Sequence, residues 1–124
     1  MLKGIEEANR TLGRTEEDNV AGWQRAGSIR NCHMGEVPGA WVVENVATLP
    51  EFRRRGVVDR LLREILARAR DGGAKVSKIG VFIGNDPAQR AYEKAGFAVT
   101  AEKRDPEFEA VYKSPGVRRL NRTL

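Results

Sequence analysis

Between Ala40 and Ile83 the hydrophobic period of the chain changes twice, and this restricts the possible folds more than any other feature. Ala40 to Thr48, AWVVENVAT, is rich in β-branched and aromatic residues and predicts a central strand that Pro50 ends. From Gly56 the apolar residues Val57, Val58, Leu61, Leu62, Ile65, Leu66 and Ala69 recur at helical spacing. Arg60, Arg63, Glu64 and Arg68 fall on the opposite, watery face. Asp71-Gly72-Gly73 stops that helix, and Lys75 to Ile83, KVSKIGVFI, returns to a strand. A strand, a turn, a helix and a second strand in this order form the part of the chain best able to build a ligand site.

The flanks extend the pattern. The first nineteen residues are polar, with a short helix expected around Leu2 to Leu12. Ala21 to Cys32 reads as a strand or hairpin arm anchored by Trp23, followed by the turn MGEVPG. Asn85-Asp86-Pro87 opens a second helix with Asp86 as its expected N-cap, and that helix closes at Gly96. Phe97 to Lys103 and Gly116 to Leu124 read as two last strands, joined by a polar excursion containing Pro106 and Pro115. The expected class is α/β (α+β): one domain over residues 1–124, with helices packed on a mixed sheet.

Composition bears on partners. The net charge is +5, with arginines concentrated at Arg53 to Arg55 and at Arg118, Arg119 and Arg122, so anionic partners are favoured. No helix-turn-helix, zinc-finger or single-strand-binding signature accompanies them, which argues against nucleic acid. No run of about eighteen apolar residues exists to span a membrane, and the N-terminus lacks a signal peptide's apolar stretch. The single cysteine, Cys32, cannot form an internal disulfide, which points to a reducing cytoplasm. Cys32 and His33 adjoin without companion ligands, so no metal site is expected.

The turn FRRRGVV sits where a strand hands over to a helix. The first amides of a helix lack intrahelical partners and carry the positive end of its dipole, so a phosphate fits there. Gly56 lets backbone approach a ligand, and Arg53, Arg54 and Arg55 add charge and forked donors. The same residues also suit an ordinary solvated basic turn. Beyond the next strand, NDPAQRAYEKAGF sets Asn85 and Tyr92 two helical turns apart, close to one face. Read blandly, Ala88, Ala91 and Ala95 are a packing stripe and Tyr92 a core aromatic.

Taken together, ATLPEFRRRGVVDRLL and NDPAQRAYEKAGF resemble the GCN5-related N-acetyltransferase (GNAT) superfamily from about Ala40 to Leu124. The first segment is similar to its acetyl-CoA pyrophosphate motif and the second to its Asn…Ala…Tyr…Gly-Phe motif. The resemblance implies a mostly antiparallel central sheet flanked by helices, and N-acetyl transfer from acetyl-CoA to a primary amine. Two departures stand out. Val58 occupies a motif position usually held by Gly or Ala, and the polar residues 1–20 stand where a first strand and two helices are usual. The chain therefore resembles a short or N-terminally truncated member, with a homodimer expected to cover its open edge.

The resemblance also implies roles. Val46, Ala47 and Thr48 offer backbone to the pantetheine arm, with the Val46 N–H polarising the thioester carbonyl. Backbone from Arg53, Arg54, Arg55, Gly56, Val57 and Val58 cradles the pyrophosphate, and Asn85 bonds the arm near its sulfur. Tyr92 is the expected general acid, a phenol of pKa about 10 beside a thiol of about 8.5. Glu44, sharing a strand face with Val46 and Thr48 by alternation, is the expected general base. It could equally pair with an arginine, or bind the amine while water acts as base. A catalytically inactive CoA-binding module is the alternative.

Overall fold

The computed structural model describes residues 2–124. Two helices come first, α1 (Leu2–Leu12) and α2 (Glu16–Asn31), then strand β1 (Ala40–Val43) and a short 3-10 turn at Pro50–Phe52. They are followed by α3 (Val57–Asp71), β2 (Val76–Phe82), α4 (Asp86–Lys94), β3 (Ala98–Arg104), α5 (Pro106–Tyr112) and β4 (Gly116–Thr123). The four strands form one mixed sheet in the order β1-β2-β4-β3. β1 runs parallel to β2, with Val43 opposite Ile79, and both other pairings are antiparallel.

Local chemistry accounts for most of these elements. The apolar stripe of α3 buries Leu62, Leu66 and Ala69. Alternation along β2 buries Ser77, Ile79 and Val81 on the face that carries α3 and α4. Lys78 and Phe82 point to the opposite face, where Phe82 meets Phe108 of α5 edge-on at 5.2 Å. α5 lies within the polar excursion expected between the last strands. The Asp105 carboxylate caps it by accepting from the Phe108 amide at 2.9 Å, and Pro106 follows directly. Asn31, at the end of α2, donates to Asp105 and to Glu107 at 3.1 Å each, which fastens α2 to α5.

Three local expectations are corrected. Ala21 to Cys32 is not a strand: all but its last residue lie in α2, and Trp23 is 61% exposed rather than an anchor. A reciprocal capping box decides the conformation, with Thr15 N–H donating to the Asp18 carboxylate at 2.8 Å and the Asp18 amide donating to Thr15 Oγ1 at 3.2 Å. Residues 2–20 accordingly carry α1 and the beginning of α2. The strand expected over Ala40 to Thr48 pairs only as far as Val43 and lies at the sheet edge. Asn45, at φ 57, is left-handed and ends the alternation, so Glu44, Val46 and Thr48 do not share a strand face. Finally, Asn85 and not Asp86 caps α4, its Oδ1 accepting from the Ala88 amide at 3.4 Å.

Candidate active site

After the Val43–Ile79 pair β1 departs from β2, and the space opened there is a cleft of about 560 Å³. Its walls come from both faces of the sheet. Ile79, Val81, Asn85 and Tyr92 line it on the α3–α4 side. Lys78, Phe82, Val117 and Arg119 line it on the other, beneath the end of α2 and the turn at residues 33–36. Glu44, Asn45 and Val46 form the lip where the strand turns away. The cleft therefore passes through the sheet, so two reactants could enter from opposite faces and meet at its centre.

The structure thus brings together Glu44, Val46, Asn85 and Tyr92 from the sequence-derived set. Tyr92 is 6% exposed, and its hydroxyl has no hydrogen-bond partner among the described residues. Burial pushes the phenol above its ordinary value of 10.0, so it stays protonated at neutral pH and is suited to give a proton rather than take one. Capping α4 uses Asn85 Oδ1 and leaves the Asn85 amide N–H donors free. Glu44 is exposed at the lip, so its carboxylate carries no large desolvation cost.

Ala47, Thr48 and Arg53 to Val58 lie outside the cleft lining, in the segment that runs from its lip to the start of α3. Arg53 Nε donates to the Thr48 carbonyl at 3.1 Å and ties this segment into a loop. The Arg55 guanidinium lies 5.7 Å from the Phe52 ring centre, while Arg54 takes a left-handed φ of 60. Gly56 is the N-cap of α3 with φ 72 and supplies no side-chain cap, so the first-turn amides of Val57, Val58 and Asp59 face outward uncapped. Val58 packs against the hydrophobic core, so its side chain is directed away from a ligand at those amides. Three exposed guanidiniums beside an uncapped helix N-terminus form a cradle suited to phosphate.

The second arginine group behaves differently. Arg118 donates to Glu102 at 2.7 Å and to Gln89 at 2.9 Å, Arg119 donates to the Met34 carbonyl at 3.0 Å, and Arg122 donates to the Ala95 carbonyl. These side chains brace β4 against its neighbours and do not form a free basic patch. Sequence reasoning missed Asn45, Lys78 and Arg119 as cleft residues. Only Asn45 had a local signal, because asparagine tolerates the left-handed conformation that turns the strand aside.

A model described as the acetyltransferase (GNAT) family matches residues 3–97. The chain belongs to the GNAT family. The match takes in α1 and α2, whereas the motif resemblance began only at Ala40. A Bacillus subtilis acetyltransferase solved in complex with CoA superposes with a TM-score of 0.64 at 20% identity, over 72% of this chain and 64% of that one. An IAA acetyltransferase from Bacillus cereus gives 0.63 at 20% identity, over 73% and 65%. A GNAT acetyltransferase from Elizabethkingia anophelis with acetyl-CoA bound gives 0.59 at 21% identity, over 67% and 60%. The chain thus spans slightly less than two thirds of these solved GNAT structures and shares their fold, mixed sheet and flanking helices included. No curated protein sequence matched it. No helix among the described residues is long and apolar enough to cross a membrane.

Proposed function

We propose that the chain is an N-acetyltransferase acting on a primary amine. The observation that carries this reading is the cleft through the β1–β2 divergence, which gathers Glu44, Val46, Asn85 and Tyr92 and opens to both faces. Acetyl-CoA supplies the acetyl group as an activated thioester. The amides at the start of α3 and the guanidiniums of Arg53 to Arg55 hold its pyrophosphate and ribose phosphate, and Gly56 gives them room. Backbone from Val46 to Thr48 lies along the pantetheine arm, and the free amide of Asn85 donates to it.

The amine nitrogen forms its new bond to the acetyl carbon while the carbon–sulfur bond breaks and its electron pair leaves on sulfur. The Val46 N–H stabilises the charge that builds on the carbonyl oxygen. Tyr92 delivers a proton to the departing thiolate, and Glu44, or a water that it orients, takes the proton that the amine must lose. The described residues act as one acetyltransferase domain. A buried free thiol at Cys32 suits a reducing cytoplasm. The unpaired edge of β1, with Trp41 and Val42 exposed, suits a homodimer.

The test measures free thiol released from acetyl-CoA with a panel of amines, in wild type and Tyr92→Phe. The variant should lose about 10²- to 10⁴-fold in kcat and keep its CoA affinity within about twofold. Equal turnover in both would remove Tyr92 from the chemistry. CoA binding with no acetylated product from any amine would instead favour a non-catalytic CoA-binding module.

A further inference from the structure

The part of the cleft opposite α3 and α4 contains a cation placed for a ligand. Lys78 is deep: its side chain is 13% exposed, and its Nζ donates to the Gly35 carbonyl at 3.4 Å and to Glu36 Oε2 at 3.0 Å. An ammonium at that depth needs an anion beside it. The anion present belongs to a side chain that is 73% exposed and hung from the turn at residues 33–36, where it also lies 3.7 Å from His33 Nε2, so it can turn to solvent once another anion takes its place at Lys78. Glu36 thus occupies a position that an incoming carboxylate could take. Arg119, which lines the same wall, adds a second positive charge while donating to the Met34 carbonyl.

The register sets the distance to the reacting end. Val42 lies opposite Lys78, so Glu44 is two residues further along the neighbouring strand; about 7 Å of rise combined with about 5 Å between strands puts the two Cα atoms about 8–9 Å apart. The cleft presents a carboxylate at its lip and a deep cation on the wall below it. We propose that the acceptor is an amine that also carries a carboxylate, with its ammonium end at Glu44 and its carboxylate displacing Glu36 from Lys78. This rests on the acetyl-transfer reading above and adds the substrate class. A diamine or polyamine would bring a second positive charge against Lys78 and Arg119 and is disfavoured.

The experiment measures equilibrium binding of 4-aminobutyrate, n-butylamine and 1,4-diaminobutane to the CoA-saturated protein, alongside acetylation rates for the same three compounds. 4-Aminobutyrate should bind at least about tenfold tighter than butylamine, with the diamine weakest, since a charge-assisted contact of about 1.5 kcal/mol or more corresponds to that factor. Lys78→Met should abolish the preference, Lys78→Arg should restore much of it, and Glu36→Gln should tighten 4-aminobutyrate several-fold by removing the competing carboxylate. No preference in wild type, or a preference that survives Lys78→Met, overturns the proposal. If Lys78→Met does not fold, Glu36→Gln decides: unchanged or weaker 4-aminobutyrate binding overturns it. Binding is read without turnover, so the two readings fail separately. Lys78-dependent binding without product would sink the transferase reading alone, whereas butylamine bound and acetylated as well as 4-aminobutyrate would sink this one alone.

Discussion

Replacing Gly56 by alanine separates the cost of a backbone conformation from the loss of a ligand contact. Gly56 sits at φ 72 and ψ 15, and a Cβ built there meets nothing within 4 Å. In the free protein the substitution therefore costs only the left-handed strain of an L-residue, about 1–2 kcal/mol, partly offset by the stiffer unfolded chain. A net loss of about 1 kcal/mol lowers the melting temperature of a chain this long by about 3–5 °C. In the proposed reading, the open space beside Gly56 is also where the pyrophosphate approaches the first amides of α3. Losing one charge-assisted hydrogen bond there costs about 1.5–3 kcal/mol, or about 10- to 150-fold in CoA affinity. Calorimetric titration with CoA and with S-acetylpantetheine, which lacks the pyrophosphate, reads the two effects apart. CoA binding should weaken by that factor while S-acetylpantetheine binding stays within about twofold. Unchanged CoA affinity, or equal losses for both ligands, would refute the cradle at the start of α3.

Other outcomes follow from the packing and the titrating groups. Phe108 is fully buried between Phe82 and Tyr112, so Phe108→Ala should cost about 3–5 kcal/mol in urea unfolding; a loss below about 1 kcal/mol would mean that α5 is not seated on the sheet as described. A Cβ at Gly116 would stand 1.9 Å from the Lys103 carbonyl oxygen, so Gly116→Ala should disrupt the β3–β4 pairing. A soluble Gly116→Ala protein with wild-type melting temperature would contradict that close approach. Burial, with Asp105 adding to it, raises the Cys32 thiol above 9.0, and burial raises Tyr92 above 10.0. Both groups hold their protons longer when folded. Their stabilisation is complete below the unfolded values, from about pH 9, and is lost as pH rises through the folded ones. Melting temperature measured from about pH 8 to about pH 11 should fall less steeply in Cys32→Ala and in Tyr92→Phe than in wild type, and parallel curves would contradict the assignment.

Some of the misread elements carried signals that could have been used. The stretch from Ala21 to Cys32 reads as a strand or hairpin arm anchored by Trp23, yet Thr15-Glu16-Glu17-Asp18 is a capping box that opens a helix. α5 follows the same Asp-Pro start that marked α4, but its seven residues are too few to show a period. The end of β1 at Val43 was harder to see. Val46, Ala47 and Thr48 are as strand-compatible as the residues before them, and only the left-handed Asn45 turns the chain aside.

By itself the sequence determined the alternation of strands and helices from Ala40 as far as β3, the basic turn at Gly56, and the Asn85–Tyr92 face of α4. Each of these is written in the spacing of near neighbours, which decides where a side chain points relative to its own element. Only the tertiary structure decided that β1 runs parallel to β2 and then leaves it, that the resulting gap opens through the sheet, and that Lys78 and Arg119 stand across it from Tyr92. Strand pairing joins residues far apart in the chain, such as Val42 with Lys78 and Lys78 with Asn121. No local period encodes such a partner; the choice comes from burying one apolar face of the whole sheet at once.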